Sequence, residues 1–345
     1  MDTKEKKYWI SNLRVTATIG VILLHVSSAI TGQFGLINTA DWWIGNIYES
    51  FVRFCVPVFV MLTGALLLPQ EISISLFLRK RLKRVIIPFL FWSIIYVIAY
   101  TLIDYFNGEK ITFTYFTNKL INGLLNGSAF HLWYVYMLIG LYLVIPILSK
   151  WIRNCTEKEI GYFLSVWFIS TMILSKFESL RNITPIYYTG YIGYLVLGYY
   201  LSTKSFSDIF NVKKVSSSLF FLGVVITIAG TYLFSAKQGF FSHSFYDYLT
   251  PNVLLASSGL FLLFRHKKEG KNNILNKVIS VIDKYSYGIF LTHILTLSSL
   301  SLLGISATFI SPILAIPIRT FLCLAISLLL VYIVNKIPWG KYISG

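Results

Sequence analysis

Residues 10–31 read ISNLRVTATIGVILLHVSSAIT. This run decides the fold class. A helix that crosses a bilayer needs about 20 mostly apolar residues, and here only Arg14 and His25 interrupt the apolar pattern. The preceding residues, Met1 to Trp9, are basic, so a cleaved signal peptide is the competing reading. The run continues to about Ile30 without an A-x-A-like cleavage site, which makes it a retained first span.

Nine further runs of this kind lie at about 51–69, 85–104, 131–149, 159–176, 184–202, 216–236, 247–264, 285–303 and 311–334. The stretch 112–128 is aromatic but broken by Asn and Gly, and reads as an outer loop or re-entrant piece. The stretch 272–284 reads as a short surface helix leading into the ninth span. The expected fold is all-α: a polytopic integral membrane protein of about ten transmembrane helices in one membrane-embedded domain over 1–345. Neither an internal repeat nor room for a soluble domain is visible.

Composition agrees. Of 345 residues 13% are charged and 56% hydrophobic, with 17% aromatic, whereas soluble domains carry roughly 25% charge. Disordered, collagenous and disulfide-scaffold classes are excluded, as is an ordinary cytosolic enzyme. Cys55, Cys155 and Cys323 have no motif spacing, so neither a disulfide framework nor a zinc site is indicated.

The net charge of +16 raises nucleic acid as a partner, but basic residues also collect on the cytoplasmic side of membrane proteins. With the N-terminus inside, 22 of the 30 Lys and Arg residues fall in inner segments and five in outer ones, Lys110, Lys119, Lys176, Arg181 and Lys237. Arg14, Arg53 and Arg319 fall in or at the edge of spans. The alternation holds at every loop. It places both termini in the cytoplasm, points to the membrane lipid as a partner, and removes nucleic acid.

Ionisable residues within spans are costly and therefore functional candidates. Arg14 and His25 are 11 residues apart, which brings them within about 20° on one helix face and about 16 Å apart along its axis. Arg14 reads either as a snorkelling anchor or as a charged binding group. His25 reads either as a packed core histidine or as a titratable catalytic group. The run Arg79-Lys80-Arg81-Leu82-Lys83-Arg84 suits phosphate binding and equally a positive-inside anchor on anionic lipid. Arg53 needs a partner within the membrane, and Glu49 at i−4 is the local one. Trp42 and Trp43 read as an interface belt, as do His131, Trp133 and Tyr134. Ser286, Gly288 and His293 occupy the ninth span; Gly288 alone would signal close helix packing. His243 and His266 read as solvated loop residues. No Walker A loop, G-x-S-x-G elbow or HExxH motif is present, and no metal site stands out.

Taken together, these motifs resemble the acyltransferase-3 family of ten-span membrane proteins that O-acylate bacterial envelope sugars. Arg14 and His25 match its Arg-x10-His signature. Arg53 with Val56-Pro57-Val58-Phe59-Val60-Met61-Leu62-Thr63-Gly64 is similar to its V-P-L-F-F-x-x-S-G stretch, with Thr63 where Ser is usual. Arg81 and Arg84, followed by Pro88, match an Arg-x-x-Arg element. His131-Leu132-Trp133-Tyr134 is similar to H-L-W-F, and Ser286 through His293 to S-x-G-I-x-x-x-H. The family's fused hydrolase-like domain has no counterpart before Gly345, so the stand-alone forms are the nearer resemblance.

The resemblance implies an acyl-CoA-dependent O-acetyltransferase in the bacterial cytoplasmic membrane, with acetyl-CoA as donor and a sugar or polysaccharide of the cell envelope as acceptor. It implies catalysis by His25, as general base or acyl acceptor, with Arg14. Arg81, Arg84, Lys80 and Lys83 would hold the coenzyme A phosphates. Arg53, Glu49, His131, Trp133, His293 and Ser286 would form the acceptor side. A homo-oligomer is compatible with this reading. The alternative is a transporter of polysaccharide or lipid-linked sugar; a membrane sensory domain is a third reading, with no soluble module to support it.

Overall fold

A computed structural model describes residues 3–71, 73–173, 185–206, 211–267 and 273–345. Every regular element among them is helical. The elements are α1 (Thr3–Thr31), α2 (Thr39–Val52), α3 (Cys55–Leu67), α4 (Ile74–Phe106), α5 (Phe113–Asn126), α6 (Trp133–Asn154), α7 (Glu157–Trp167), α8 (Pro185–Thr203), α9 (Val212–Gln238), α10 (Pro251–Arg265), α11 (Asn273–Leu302), α12 (Pro312–Lys336) and α13 (Gly340–Ile343). A 3-10 turn at Phe130–Leu132 precedes α6, and a π-helical stretch at Phe168–Ile173 follows α7. Lys176, Arg181, Lys268 and Lys271, the end of the fifth expected span and the start of the sixth lie outside the described residues.

Six helical stretches among the described residues are long and apolar enough to cross a membrane: Tyr8–Thr31, Thr39–Leu67, Ile74–Phe106, Phe113–Asn154, Val212–Gln238 and Pro312–Lys336. Their outward faces fit lipid rather than water. On α4, Leu90, Ile94, Ile98 and Leu102 recur every four residues and are 40–52% exposed, while Phe89, Trp92, Tyr96 and Val97 on the other side are buried. One lipid-facing stripe and one packed face is the pattern expected of an all-α multi-pass membrane protein.

Three boundaries differ from the sequence reading, each for a physical reason. The second span starts at Thr39 rather than near 51, because Asp41, Asn46 and Glu49 lower the hydropathy without breaking the helix. The stretch 112–128, read as an outer loop or re-entrant piece, is helical: α5 occupies Phe113–Asn126, with the Thr112 hydroxyl capping it by accepting from the Tyr115 amide. The short helix expected to lead into the ninth span is continuous with it: residues 273–284 are the first turns of the 30-residue α11.

Proline places the irregularities. Pro57 has no N–H to give to the Arg53 carbonyl four residues back, and its ring crowds that carbonyl. The helix stops there: Arg53 and Phe54 form a tightened turn between α2 and α3, with ψ of −17° and −18°. Pro317 likewise leaves the Ile313 carbonyl without its helical donor, and the Tyr48 hydroxyl donates to it at 3.0 Å.

The chain forms two compact units. One comprises residues 1–71, 145–283 and 304–322, the other 72–144, 284–303 and 323–345. In the first, α1 packs on α2 and α3, α3 on α8, and α9 on α10. A Cβ on Gly64 would fall 1.9 Å from the Leu195 carbonyl oxygen, and one on Gly198 2.0 Å from that of Met61. Glycine at both positions is what lets α3 and α8 meet backbone to backbone. In the second unit α4 packs on α5 and α13, and the Trp92 indole donates to the Ile343 carbonyl at 3.0 Å.

Candidate functional site

In the first unit, α1 carries Arg14 and His25 on one face, both half-buried, with buried Thr18 and Val21 between them. Arg14 is held from a distant part of the chain: its Nη1 lies 2.6 Å from Asp283 Oδ1 on α11. The Ser11 hydroxyl donates to the other oxygen of that carboxylate at 2.7 Å. One Asp283 carboxylate therefore fixes two side chains a turn apart on α1, and leaves Arg14 27% exposed. A guanidinium aimed by a carboxylate and still partly open can meet an anion, or charge developing on an oxygen. Asp283 is the residue that sequence reasoning missed.

The Glu49–Arg53 pair expected from i, i+4 spacing is present, with Arg53 Nη1 3.1 Å from Glu49 Oε1. Both side chains, expected on the acceptor side, are buried. Glu49 also accepts from the Thr31 hydroxyl. The Arg53 guanidinium lies over the rings of Tyr246 and Tyr248, 4.8 and 4.6 Å from their centroids, and donates to the Tyr246 carbonyl. The Tyr246 hydroxyl donates to Asn46 Oδ1 at 2.7 Å, and Tyr194 donates to the Tyr248 carbonyl at 2.7 Å. This cluster ties the 239–250 connection to α2 and α8. The signal for it in the sequence is the run Phe245-Tyr246-Asp247-Tyr248, aromatic rings opposite a membrane-buried cation.

In the second unit, two histidines far apart in sequence share one nest. His131, on the 3-10 turn before α6, and His293, on α11, meet edge to face at 4.9 Å between centroids. Tyr96 and Phe290 each stand 5.4 Å from His131, and both histidines are buried. His293 Nδ1 is 2.6 Å from the Phe290 carbonyl oxygen. The neighbouring candidates differ: Trp133 is 41% exposed, and Ser286 is half-buried two turns before His293 on the same helix. Gly288 fits against the Ser344 carbonyl and Val331, where a Cβ would clash, so its packing role is real.

The basic run is helical. Arg79 to Arg84 form part of α4, whose 33 residues extend about 50 Å, against about 30 Å of hydrocarbon. The surplus lies at the basic end. Arg79, Lys80, Lys83 and Arg84 are exposed and Arg81 is half-exposed.

A model of the acyltransferase-3 family, described as an acyltransferase domain, matches residues 7–332. The chain belongs to the acyltransferase-3 family. A relative from Bacillus subtilis (strain 168), named "Putative membrane-bound acyltransferase YfiQ", is 22% identical over 356 residues, covering 96% of this chain and 92% of its own length. No solved structure matches the chain. At this level the activity is acyl transfer by a multi-pass membrane protein.

For this acyltransferase-3 chain, the Arg14–Asp283 contact gives a direct expectation. Asp283→Asn keeps the shape but removes the charge, so Arg14 loses its aim. Each single replacement, Arg14→Gln or Asp283→Asn, is expected to lower transfer about 10-fold or more, and the double no further, because coupled residues are non-additive. Transfer rates of the three variants check this; additive losses would show that the two residues act independently.

Proposed function

We propose that this protein is a membrane O-acetyltransferase that moves an acetyl group from cytoplasmic acetyl-CoA to a hydroxyl of a cell-envelope or exopolysaccharide sugar. The observation that carries the reading is the α1 face, where a half-buried His25 shares a helix with an Arg14 held by Asp283. The single domain of about ten spans sits in the bacterial cytoplasmic membrane with both termini inside, alone or as a homo-oligomer.

His25 takes the proton of the acceptor hydroxyl as the oxygen attacks the thioester carbonyl. The C–O bond forms, the C–S bond breaks, and the coenzyme A thiolate leaves, taking the proton back from the imidazolium. Arg14, about 16 Å from His25 along α1, does not reach the reacting carbonyl; it orients the donor through one of its anionic groups. Arg81 and Arg84, with Lys80 and Lys83, hold the donor's phosphates at the protruding end of α4. Glu49 and Arg53 act on the acceptor side by fixing the 239–250 connection, while His131, His293, Trp133 and Ser286 shape the second unit's contribution.

The test uses radiolabelled acetyl-CoA and purified protein. The wild type should bind and consume the donor in the presence of envelope glycan. Replacing Arg81 and Arg84 together by Ala should weaken binding by about 10- to 100-fold, as the loss of one or two charge-assisted contacts would. A wild type that neither binds nor consumes acetyl-CoA would favour the transporter. Unchanged affinity in a poorly inserted variant would make the basic run a membrane anchor only.

A further inference from the structure

The second unit holds a cavity of about 560 Å³ between α4 and α5, within the range of small-molecule sites. It lies toward the C-terminal end of α4, which the proposed topology turns outward. Tyr100 of α4 and Tyr115, Asn118, Asn122 and Asn126 of α5 line it, with Ser128 just beyond. The three asparagines recur at i, i+4 and i+8, so their amides stand in a row about 6 Å apart.

Phe113, opposite the asparagine row on α5, is 84% exposed, and Ile121 and Leu125, 56 and 70% exposed, border the row on one side. In a membrane such apolar side chains meet lipid, while side-chain amides need water or a polar partner. None of the three amides is hydrogen-bonded to another described residue, and the buried Ser128 hydroxyl has no partner among them either. Each amide offers both donors and an acceptor, which is the demand of a vicinal diol. The tyrosine rings add amphipathic flat surfaces.

The charge on the wall is already neutralised. Lys119 pairs with Asp104, and the Tyr115 hydroxyl donates to the same carboxylate at 2.7 Å. Among the described residues lining the groove, no unpaired cation is left to attract an anionic ligand. We propose that the groove between α4 and α5 is the acceptor subsite and takes an uncharged pyranose, with Asn118, Asn122 and Asn126 on its hydroxyls. This rests on the reading of the protein as a sugar O-acetyltransferase, and it names the place and the charge of the sugar.

Saturation-transfer NMR on the full chain in lipid nanodiscs tests the site without requiring turnover. The probes are the methyl glycosides of glucose, galactose, rhamnose, N-acetylglucosamine and glucuronic acid, with phosphocholine as a lipid-headgroup probe. At least one neutral glycoside should bind the wild type. Its affinity should fall at least 10-fold in the Asn118→Leu, Asn122→Leu double variant and in Asn122→Trp, which fills the groove. All three changes fall on exposed side chains, so folding should persist, checked by size-exclusion elution.

The proposal is overturned if no neutral glycoside binds, if both variants bind as the wild type does, or if glucuronide or phosphocholine binds best. Acetyl-CoA consumption is measured in parallel on the wild type. Amide-dependent glycoside binding without any acetyl transfer would keep this site and overturn the acetyltransferase reading instead.

Discussion

Replacing His25 by Ala is expected to lower acetyl transfer by about 10²–10⁴-fold, the span typical for loss of a positioned general acid–base. Insertion and folding should be unaffected, because His25 is only half-buried and its neighbours Leu24 and Val26 carry the core packing of that turn. The measurement is transfer of label from acetyl-CoA to envelope glycan, normalised to folded protein. Transfer near the wild-type rate would remove His25 from the mechanism. The same assay separates the two chemical roles open to the imidazole. If it accepts the acetyl group itself, label stays on the protein when donor is supplied without acceptor. If it acts as a base, label appears only on the sugar. His25→Gln, which keeps a hydrogen-bonding group but cannot cycle a proton, should be as inactive as Ala.

The largest effect on stability is expected from Glu49→Ala. Glu49 and Arg53 side chains are 4% and 12% exposed, so removing the carboxylate leaves a buried guanidinium without its counter-charge. Breaking one partner of such a pair costs about 3–5 kcal/mol. Replacing both, as Glu49→Met with Arg53→Met, should recover a large part of that loss, since no unpaired charge remains. The check is chemical unfolding in mixed micelles for the two single variants and the double. A double variant no more stable than Glu49→Ala would mean that the tyrosine and carbonyl contacts of Arg53, rather than the ion pair, hold the 239–250 connection. A loss below about 0.5 kcal/mol for Glu49→Ala would place it with ordinary surface changes and contradict its burial.

What the sequence shows of this molecule follows the reach of its signals. Hydropathy locates spans because lipid demands about 20 apolar residues in a row, and each of the six long apolar helices among the described residues overlaps an expected span, though Thr39–Leu67 and Phe113–Asn154 begin well ahead of it. Local spacing finds Glu49 for Arg53, since i and i+4 meet on any helix. Pro57 is legible as a helix breaker, and the break it causes lies at Arg53. Hydropathy misjudges α5, because Asn118, Asn122 and Asn126 lower the average just as a loop would. Their four-residue period marks a polar helix face instead. It also misjudges the start of α11, where Lys277, Asp283 and Lys284 mark the limit of the apolar run, not of the helix. The partner of Arg14 was out of reach in principle: Asp283 is 269 residues away, and no short-range pattern connects them. The same holds for His131 and His293, two motif histidines whose contact only the packed helices reveal.

The interruption at Arg53 and Phe54 has an electrical consequence. A helix that ends inside the membrane exposes the negative pole of its peptide dipoles there, equivalent to about half an elementary charge. Arg53 occupies the C-cap of α2, and its guanidinium reaches back one turn to Glu49, away from that pole. Pro57, by ending α2 at this residue, thus places a partial negative charge within the membrane that is separate from the Glu49–Arg53 pair. A Pro57→Ala change that let the helix run through would remove the pole without touching a single polar side chain.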